Sequence, residues 1–273
     1  MSQRAESNNR LALYHEISDV VSAMKNLAQV ELHRASNTQG FISAAFENVV
    51  NAMSALHSVF PGIFDLNSGK SALLLLGTER GFCGGFNEQL ARFALTQDLN
   101  AYHEILCVGS RLNSKLQTEL RPDFQQPLIN HTFAGPAITD EIMPCVQSIT
   151  DYFLSSGMPS QLVPLCHTQH SVQLVQLLPK PISVIDTGIC SNLGLNLPKA
   201  DLATLLQWQC LSQGLAYYLA SSLEIENRFR LQQMEGARNH LQDLTHNLKI
   251  RINTLRQQEI VDEIEVMLSL ENH

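Results

Sequence analysis

The chain has 273 residues, of which 44% are hydrophobic and 16% charged, a composition typical of a globular protein with one large domain or two small ones. Its net charge of −8 at pH 7 argues against nucleic acid or an anionic membrane as a partner of the whole molecule. No apolar stretch approaches the length of a membrane-spanning helix, and no apolar core of a signal peptide follows Met1.

The first predicted element is a long N-terminal helix. The run Leu11–Phe60 contains no proline, and its apolar residues recur at helical spacing. These apolar positions are Ile17, Val20, Val21, Met24, Leu27 and Ala28, and later Phe46, Val49, Val50, Met53 and Leu56. The weak helix formers of Ser36–Gly40 predict a point where the helix bends or softens, and Pro61-Gly62 ends it. We therefore assign residues 1–62 to an N-terminal coiled-coil helix.

The middle of the chain alternates short apolar runs with amphipathic segments. Strands are expected at Ser71–Gly77, Glu104–Gly109, Gln161–Cys166 and Val172–Leu177, and helices at Asn87–Leu99, Arg111–Leu120 and Ile138–Leu154, the last interrupted by Pro144. This alternation predicts a small central α/β domain with a largely parallel sheet, at residues 69–197. Pro179–Lys199, rich in proline, glycine, serine and asparagine, is interpreted as the connection to the next helix.

The last quarter of the chain is a second long helix. Asp201–Leu268 contains no proline, and apolar residues recur there in steps of three and four. They are Leu231, Met234, Ala237, Leu241, Leu244, Leu248, Ile252 and Leu255. At 1.5 Å per residue such a helix extends roughly 100 Å, which a small domain cannot bury, so it needs a partner helix. We assign residues 198–273 to a C-terminal helix that forms a long antiparallel coiled coil with the N-terminal one. The expected fold class is therefore α+β or α/β, with this coiled coil beside the central domain.

Two places in the sequence were considered for binding chemistry. The turn Gly77–Asn87 joins a strand to a helix, but it lacks the Gly-Lys-Ser/Thr ending of a P-loop and the glycine spacing of a dinucleotide fingerprint. A tight turn with positive φ is the favoured use of its glycines. Cys166, His167 and His170 could ligate zinc, but no fourth ligand is evident. The six cysteines form no Cys-x-x-Cys pair, so we expect reduced, mostly buried thiols in a cytosolic protein. No catalytic arrangement, metal site or cofactor is predicted.

Three stretches carry a resemblance to a known family. Val21-Ser-Ala-Met-Lys-Asn-Leu-Ala28 resembles the run Thr-Lys-Ala-Met-Lys-Met-Val-Ala at the N-terminus of the gamma subunits of F-type ATP synthases. The turn from Thr78, with Arg80, Gly81, Cys83, Gly84, Gly85 and Asn87, resembles the family's Ser-Asp-Arg-Gly-Leu-Cys-Gly-Gly-Leu-Asn. In the C-terminal helix the matching positions are Glu226, Arg230, Met234, Ala237, Leu244, Leu248, Asn253, Arg256, Gln257 and Ile260. The order of long helix, α/β domain and long helix is also that of the family.

The resemblance implies a non-catalytic subunit, the central rotor shaft of an F1Fo-type ATP synthase or ATPase. Its implied partners are the alpha and beta subunits of F1, the epsilon subunit and the membrane c-ring, with no nucleic acid and no cofactor. The chain would meet the membrane only through the complex, at the cytoplasmic face of a bacterial inner membrane. Arg256, Gln257 and Met24 match positions by which the family's shaft contacts a beta subunit.

This chain departs from the family at several positions, as a divergent member does. Val261 stands where the family usually has threonine, and Glu31 lies where the family commonly has a basic run. Two other functions stay open at this point. One is a free-standing coiled-coil adaptor with a gamma-like fold, and the other is a small nucleotide-binding enzyme that uses the turn Thr78–Asn87.

Overall fold

The computed structural model describes residues 3–64, 70–119, 129–168, 171–178 and 196–271. The chain divides into two compact units. The terminal helical unit comprises residues 1–29 and 230–273, and the sheet unit comprises residues 30–229. Most of the predicted connection after Pro179 lies outside the described residues, as do Leu120, His170 and Cys190.

The described elements follow the predicted order. The helices are α1 (Gln3–Val59), α2 (Phe86–Leu95), α3 (Ser110–Glu119), α4 (Ile142–Ser156) and α5 (Lys199–Glu271). The strands are β1 (Ser71–Leu76), β2 (Glu104–Val108), β3 (His131–Phe133), β4 (Gln161–His167) and β5 (Val172–Leu174), and short 3-10 turns lie at Leu99–Ala101 and Thr139–Glu141. No helix among the described ranges has an apolar stretch of the length that spans a bilayer.

The sheet unit is built on a five-stranded sheet with the order β3-β2-β1-β4-β5. The first four strands are parallel and β5 is antiparallel to β4, which confirms the prediction of a largely parallel sheet. Every residue of β1 is buried, because this central strand is covered on both faces. Leu74 and Leu76 belong to a core shared with α4 and with parts of α1 and α5, while Leu73 and Leu75 belong to a core shared with α2 and α3.

Several local expectations need correction. The expected helix Ile138–Leu154 is not interrupted by Pro144: α4 begins at Ile142, so this proline lies in the first turn, where its missing N–H has no intrahelical partner to lose. Helix α1 continues through Ser36–Gly40, and the bend or softening expected there stays a prediction. Strand β3 was not predicted, because its three residues are too few to show a period of two.

The terminal helical unit contains an antiparallel pair of helices. Arg4 of α1 forms an ion pair of 2.9 Å with Glu259 of α5, and Lys25 pairs with Glu235. From the first pair to the second, the residue number increases along α1 and decreases along α5. The two segments therefore run in opposite directions. This confirms the predicted antiparallel pairing of the N- and C-terminal helices.

The apolar stripe predicted for α5 is confirmed. All eight of its positions from Leu231 to Leu255 are buried or half-buried, and Met234 and Leu241 form a small core with Val21 of α1. The stripe predicted for α1 is partly wrong, because Ile17, Val20 and Leu27 are exposed. The physical reason is that a coiled-coil seam uses only two positions in each heptad, whereas the apolar residues of α1 cover a wider face.

We expect the terminal helical unit to open more readily than the sheet. Its buried apolar core is small, and local opening costs little free energy where few apolar contacts are lost. Amide hydrogen exchange of the isolated chain should therefore be faster in residues 11–28 and 244–268 than in β1. Uniform protection across these segments and β1 would contradict this expectation.

Candidate functional site

The turn between β1 and α2 carries the most specific sequence motif, and its polar groups bond to one another. Thr78 is fully buried and donates its backbone N–H to Oδ1 of Asn87 at 3.1 Å. Nδ2 of Asn87 donates to Oγ1 of Thr78 at 2.7 Å, and this hydroxyl donates to the carbonyl oxygen of Arg80 at 2.9 Å. Asn87, in the first turn of α2, therefore ties the helix to the end of β1.

The backbone of this turn includes two residues with positive φ. Gly84 has a φ of 56° and Phe82 a φ of 63°. This confirms that the motif needs a glycine for a left-handed conformation, and the position is Gly84. Gly81 and Gly85 have no positive φ, and Gly85 is the N-cap of α2. Cys83 is buried beneath the turn, with its Sγ 3.6 Å from Oγ1 of Thr78.

Glu79 is a residue of this turn that the sequence analysis missed. Its carboxylate accepts hydrogen bonds from the backbone N–H of Ser110 at 3.0 Å, from the Ser110 hydroxyl at 2.7 Å and from the backbone N–H of Gly135 at 3.0 Å. These donors follow β2 and β3 in the chain, so Glu79 joins three segments at the carboxyl edge of the sheet. The only sequence signal was a carboxylate directly after a buried strand, since its partners lie far away in the chain.

The position of the Glu79 carboxylate bears on the nucleotide-binding alternative. Ser110 is the first residue of α3, and helix N-termini at the carboxyl edge of a parallel sheet are where such folds bind phosphate. Here the protein's own carboxylate takes that position. Glu88 adds a second negative charge in the first turn of α2. The geometry of the turn therefore fits a structural role and disfavours a phosphate site.

Removal of the Glu79 charge should destabilise the sheet unit in a pH-dependent way. Burial raises the pKa of Glu79, but the hydrogen bonds from Ser110 and Gly135 outweigh it, so the pKa lies below its usual value. Because the folded pKa is the lower one, this stabilisation is present at neutral pH and is lost as the pH falls through the folded pKa. We expect Glu79→Gln to cost about 1–2 kcal/mol in urea unfolding at pH 7.

The difference between wild type and Glu79→Gln should shrink as the pH falls below about 4. Glu88→Gln is the control, because Glu88 forms an exposed pair with Arg92, which is worth only about 0–1 kcal/mol. A Glu79→Gln cost that stayed constant down to pH 3 would contradict a role for the charge.

The two candidate zinc ligands that the structure describes do not lie on one face of the sheet. Cys166 and His167 are consecutive residues of β4, so their side chains point to opposite faces of the sheet. Nε2 of His167 donates to the carbonyl oxygen of Phe86 at 2.9 Å, and burial lowers the pKa of this histidine. Burial raises the pKa of Cys166 to about 12. His170 lies outside the described residues, and within them no three metal-type side chains cluster.

Glu31, in a stretch where the family is commonly basic, has a structural role in the sheet unit. Its carboxylate is buried and accepts hydrogen bonds from the backbone N–H of Thr139 at 3.1 Å and from the Thr139 hydroxyl at 3.2 Å. Arg34, one turn further along α1, is 3.5 Å from the other carboxylate oxygen. Glu31 therefore ties α1 to the 3-10 turn that precedes α4.

The motif residues of α5 fall into a buried and an exposed group. Glu226, Arg230 and Met234 are buried, and both charged members interact with other residues. Asn253 and Ile260 are exposed. Buried charged groups are rare in proteins unless they are paired. Glu226, Arg230 and Met234 therefore match the family at least as much because folding requires these residues as because partners contact them.

The three predicted contact residues lie in the terminal helical unit. Met24 is half-buried and packs against the core of Val21, Met234 and Leu241, so it belongs to the helix seam. Arg256 and Gln257 are exposed, and neither side chain forms a hydrogen bond or ion pair with another residue in the part of the chain that the structure describes. Their polar ends are therefore available to a partner.

The end of α5 exposes several large apolar side chains. Glu259 pairs with Arg4 of α1, and large apolar side chains that follow it on α5 are exposed. The exposed residues are Ile260, Val261, Ile264, Val266, Met267 and Leu268. Clustered exposed apolar side chains of this size mark an interaction surface.

Comparisons with known proteins agree on one family. A model of the family described as ATP synthase matches residues 3–269. The ATP synthase gamma chain of Lachnoclostridium phytofermentans is 22% identical over 98% of this chain and 98% of its own length. That of Mycoplasmoides gallisepticum is 25% identical over 98% of this chain and 96% of its own length.

Two solved structures with a similar fold are of mitochondrial ATP synthases. A chain in the cryo-EM structure of the Euglena gracilis enzyme, in its OSCP/F1/c-ring part, has a TM-score of 0.63 at 12% identity, over 98% of this chain and 93% of that one. A chain of the Tetrahymena thermophila central stalk and c-ring has a TM-score of 0.54 at 17% identity, over 80% of this chain and 99% of that one.

Proposed function

Because the chain belongs to the ATP synthase family, we propose that it works as the gamma subunit of an F-type ATP synthase, the central shaft that couples rotation of a membrane ring to ATP synthesis or hydrolysis. It is a non-catalytic subunit of that complex, and ATP chemistry belongs to partner subunits. The complex is a peripheral F1 assembly on a membrane. We place it at the cytoplasmic face of a bacterial inner membrane.

One observation carries the proposal for how the shaft works. In the terminal helical unit, α1 and α5 bury their seams against each other, and the end of α5 exposes Arg256, Gln257 and the apolar side chains from Ile260 onwards. Two paired helices are stiff, and an exposed apolar surface at their end indicates that other protein subunits surround and bury it. A ring of alternating alpha and beta subunits would bury this surface.

Rotation would then be coupled to ATP chemistry because the contact energy between the shaft and a beta subunit differs from one shaft orientation to another. A shaft with different side chains on its different faces presents each beta subunit in turn with a different surface as it rotates. The beta subunit's equilibrium between open and closed states shifts by as much as these contact energies differ. Arg256 suits such a contact, because its planar guanidinium can bind a carboxylate through two hydrogen bonds.

We further propose that different segments of the chain have different roles in the complex. Residues 1–62 and 198–273 would form the shaft, and residues 69–197 would form the foot that holds the epsilon subunit and the c-ring. The two apolar cores that cover the faces of the sheet support a rigid foot. Rigidity is what transmission of torque from a membrane ring requires.

Purification of the chain from its native cells tests the proposed function. Alpha and beta ATPase subunits should co-purify with it at the fixed stoichiometry of a ring around one shaft. Recovery of unrelated proteins alone would favour the coiled-coil adaptor instead. Saturable ATP binding by the isolated chain, abolished by changes in the turn Thr78–Asn87, would favour the enzyme alternative, which the bonded turn and the Glu79 carboxylate argue against.

A further inference from the structure

The sheet unit has a groove between α1 and α5 that the proposed function does not use. Its volume is about 400 Å³. It is lined by Ser43, Phe46, Glu47, Val50 and Asn51 of α1 and by Tyr217 and Tyr218 of α5. We call it the aromatic groove.

Three aromatic rings hold one another in place in the aromatic groove. Phe46 is buried and stacks on Tyr217, with ring centroids 5.6 Å apart and an interplanar angle of 27°. Tyr218 meets both rings edge-on, at 6.4 Å from Phe46 and 5.1 Å from Tyr217. Gly214 makes room for this arrangement, since a Cβ there would lie 3.1 Å from the Phe46 ring and 2.3 Å from Leu177. The rings are therefore preorganised.

The charge in the aromatic groove is negative. Among the described residues that line it, Glu47 is the only charged one, and its carboxylate accepts a hydrogen bond from the Ser43 hydroxyl at 3.3 Å. Burial raises the pKa of Tyr218 to about 12, so its hydroxyl stays a neutral donor. The groove thus combines aromatic side chains with one exposed carboxylate.

We propose that the aromatic groove binds an arginine or lysine side chain from a protein partner, with the cation against the rings and its charge paired with Glu47. Aromatic faces attract cations through the ring quadrupole, and a guanidinium can stack on a ring while it binds a carboxylate. A protein side chain fits better than a small metabolite, because Glu47 and Asn51 are exposed and the groove does not enclose a ligand. The proposal concerns the chain itself and does not depend on its role as a shaft.

Binding of ethylguanidinium to the isolated full-length chain tests the chemistry. In a chain with 13C-labelled tyrosine rings, the Tyr217 and Tyr218 signals, assigned through Tyr217→Phe and Tyr218→Phe, should shift saturably. Glu47→Gln should weaken this binding about tenfold, the effect of one charged hydrogen bond. Glu16→Gln removes the same charge from an exposed position of α1 outside the groove and should leave the affinity unchanged. Ethylurea, which has a similar shape without the charge, should bind at least about tenfold more weakly.

Three results would overturn the proposal: no saturable shift, equal binding of ethylurea, or equal affinity in Glu47→Gln. Because Glu47 is exposed, its replacement should not alter thermal unfolding, which is measured alongside.

The occupant in the cell is tested by photo-crosslinking in the purified native complex. With p-benzoylphenylalanine at position 51, on the rim of the groove, the crosslinked peptide should carry arginine or lysine beside the modified residue. Crosslinks only to segments without a basic residue, or no crosslink to any protein, would contradict a protein partner of this chemistry.

Discussion

Replacement of Arg256 by alanine should lower ATP turnover by the assembled complex, or ion pumping per ATP, by about tenfold or more. A hydrogen bond to a charged group is worth about 1.5–3 kcal/mol, and 1.4 kcal/mol of a barrier changes a rate tenfold. Folding of the isolated chain should hardly change, because the Arg256 side chain is exposed and bonds to no other described residue. ATPase assays and ion-pumping assays on the purified complex measure the first effect, and urea unfolding measures the second.

Two further variants show whether the Arg256 side chain acts through its shape or only through its charge. Arg256→Lys keeps the charge but loses the planar fork, so it should restore only part of the activity. Arg251→Ala removes an arginine that is also exposed on α5 and should have a much smaller effect. Full turnover and full coupling in the Arg256→Ala complex would exclude this contact while leaving the shaft architecture intact.

The residue at position 261, a valine, makes the Arg256 substitutions more informative in this chain. This side chain is 52% exposed one turn beyond Arg256, and it has no hydroxyl where the family usually has threonine. A valine side chain cannot hydrogen-bond to a partner, so the polar contact proposed with a beta subunit would rest on Arg256 and Gln257.

Gly109→Ala should destabilise the sheet unit by about 2–5 kcal/mol. Gly109 has a φ of 95°, where a side chain costs about 1–3 kcal/mol in backbone strain. A Cβ there would lie 2.6 Å from the carbonyl oxygen of Thr78 and 2.8 Å from the carbonyl carbon of Gly77. Both are backbone atoms that cannot rotate away, so the strands must move apart at the edge where Glu79 binds Ser110.

The single tryptophan, Trp208, packs against the core of the sheet unit, so its fluorescence reports the unfolding of that unit in urea. Gly81→Ala is the matched control in the neighbouring turn. No atom lies within 4 Å of the added Cβ, and φ is not positive, so stability should change by less than about 0.5 kcal/mol. Equal stability of the Gly109→Ala and Gly81→Ala variants would contradict the steric argument.

The long helices and the parallel sheet could be predicted because their signals are local. Each position of the α5 stripe from Leu231 to Leu255 is buried or half-buried as the spacing indicated. The continuous apolar run of β1 correctly indicated a strand covered on both faces. Arg256 and Gln257 were predicted as contact residues through resemblance to a family, which stays a prediction, and the structure adds that both are exposed.

Other features follow from contacts between residues far apart in the chain, on which a local pattern carries no information. The apolar face of α1 was visible in the sequence, but only packing against α5 selects Val21 and leaves Val20 exposed. In the sequence, Glu79 has no feature that sets it apart from other carboxylates. Only folding places it next to the N–H groups of Ser110 and Gly135. The sequence by itself thus determined the long helices and every described strand except β3, since these depend on periodicity and on the positions of proline and glycine. The tertiary structure alone decided which faces and polar groups meet, because those energies come from long-range contacts.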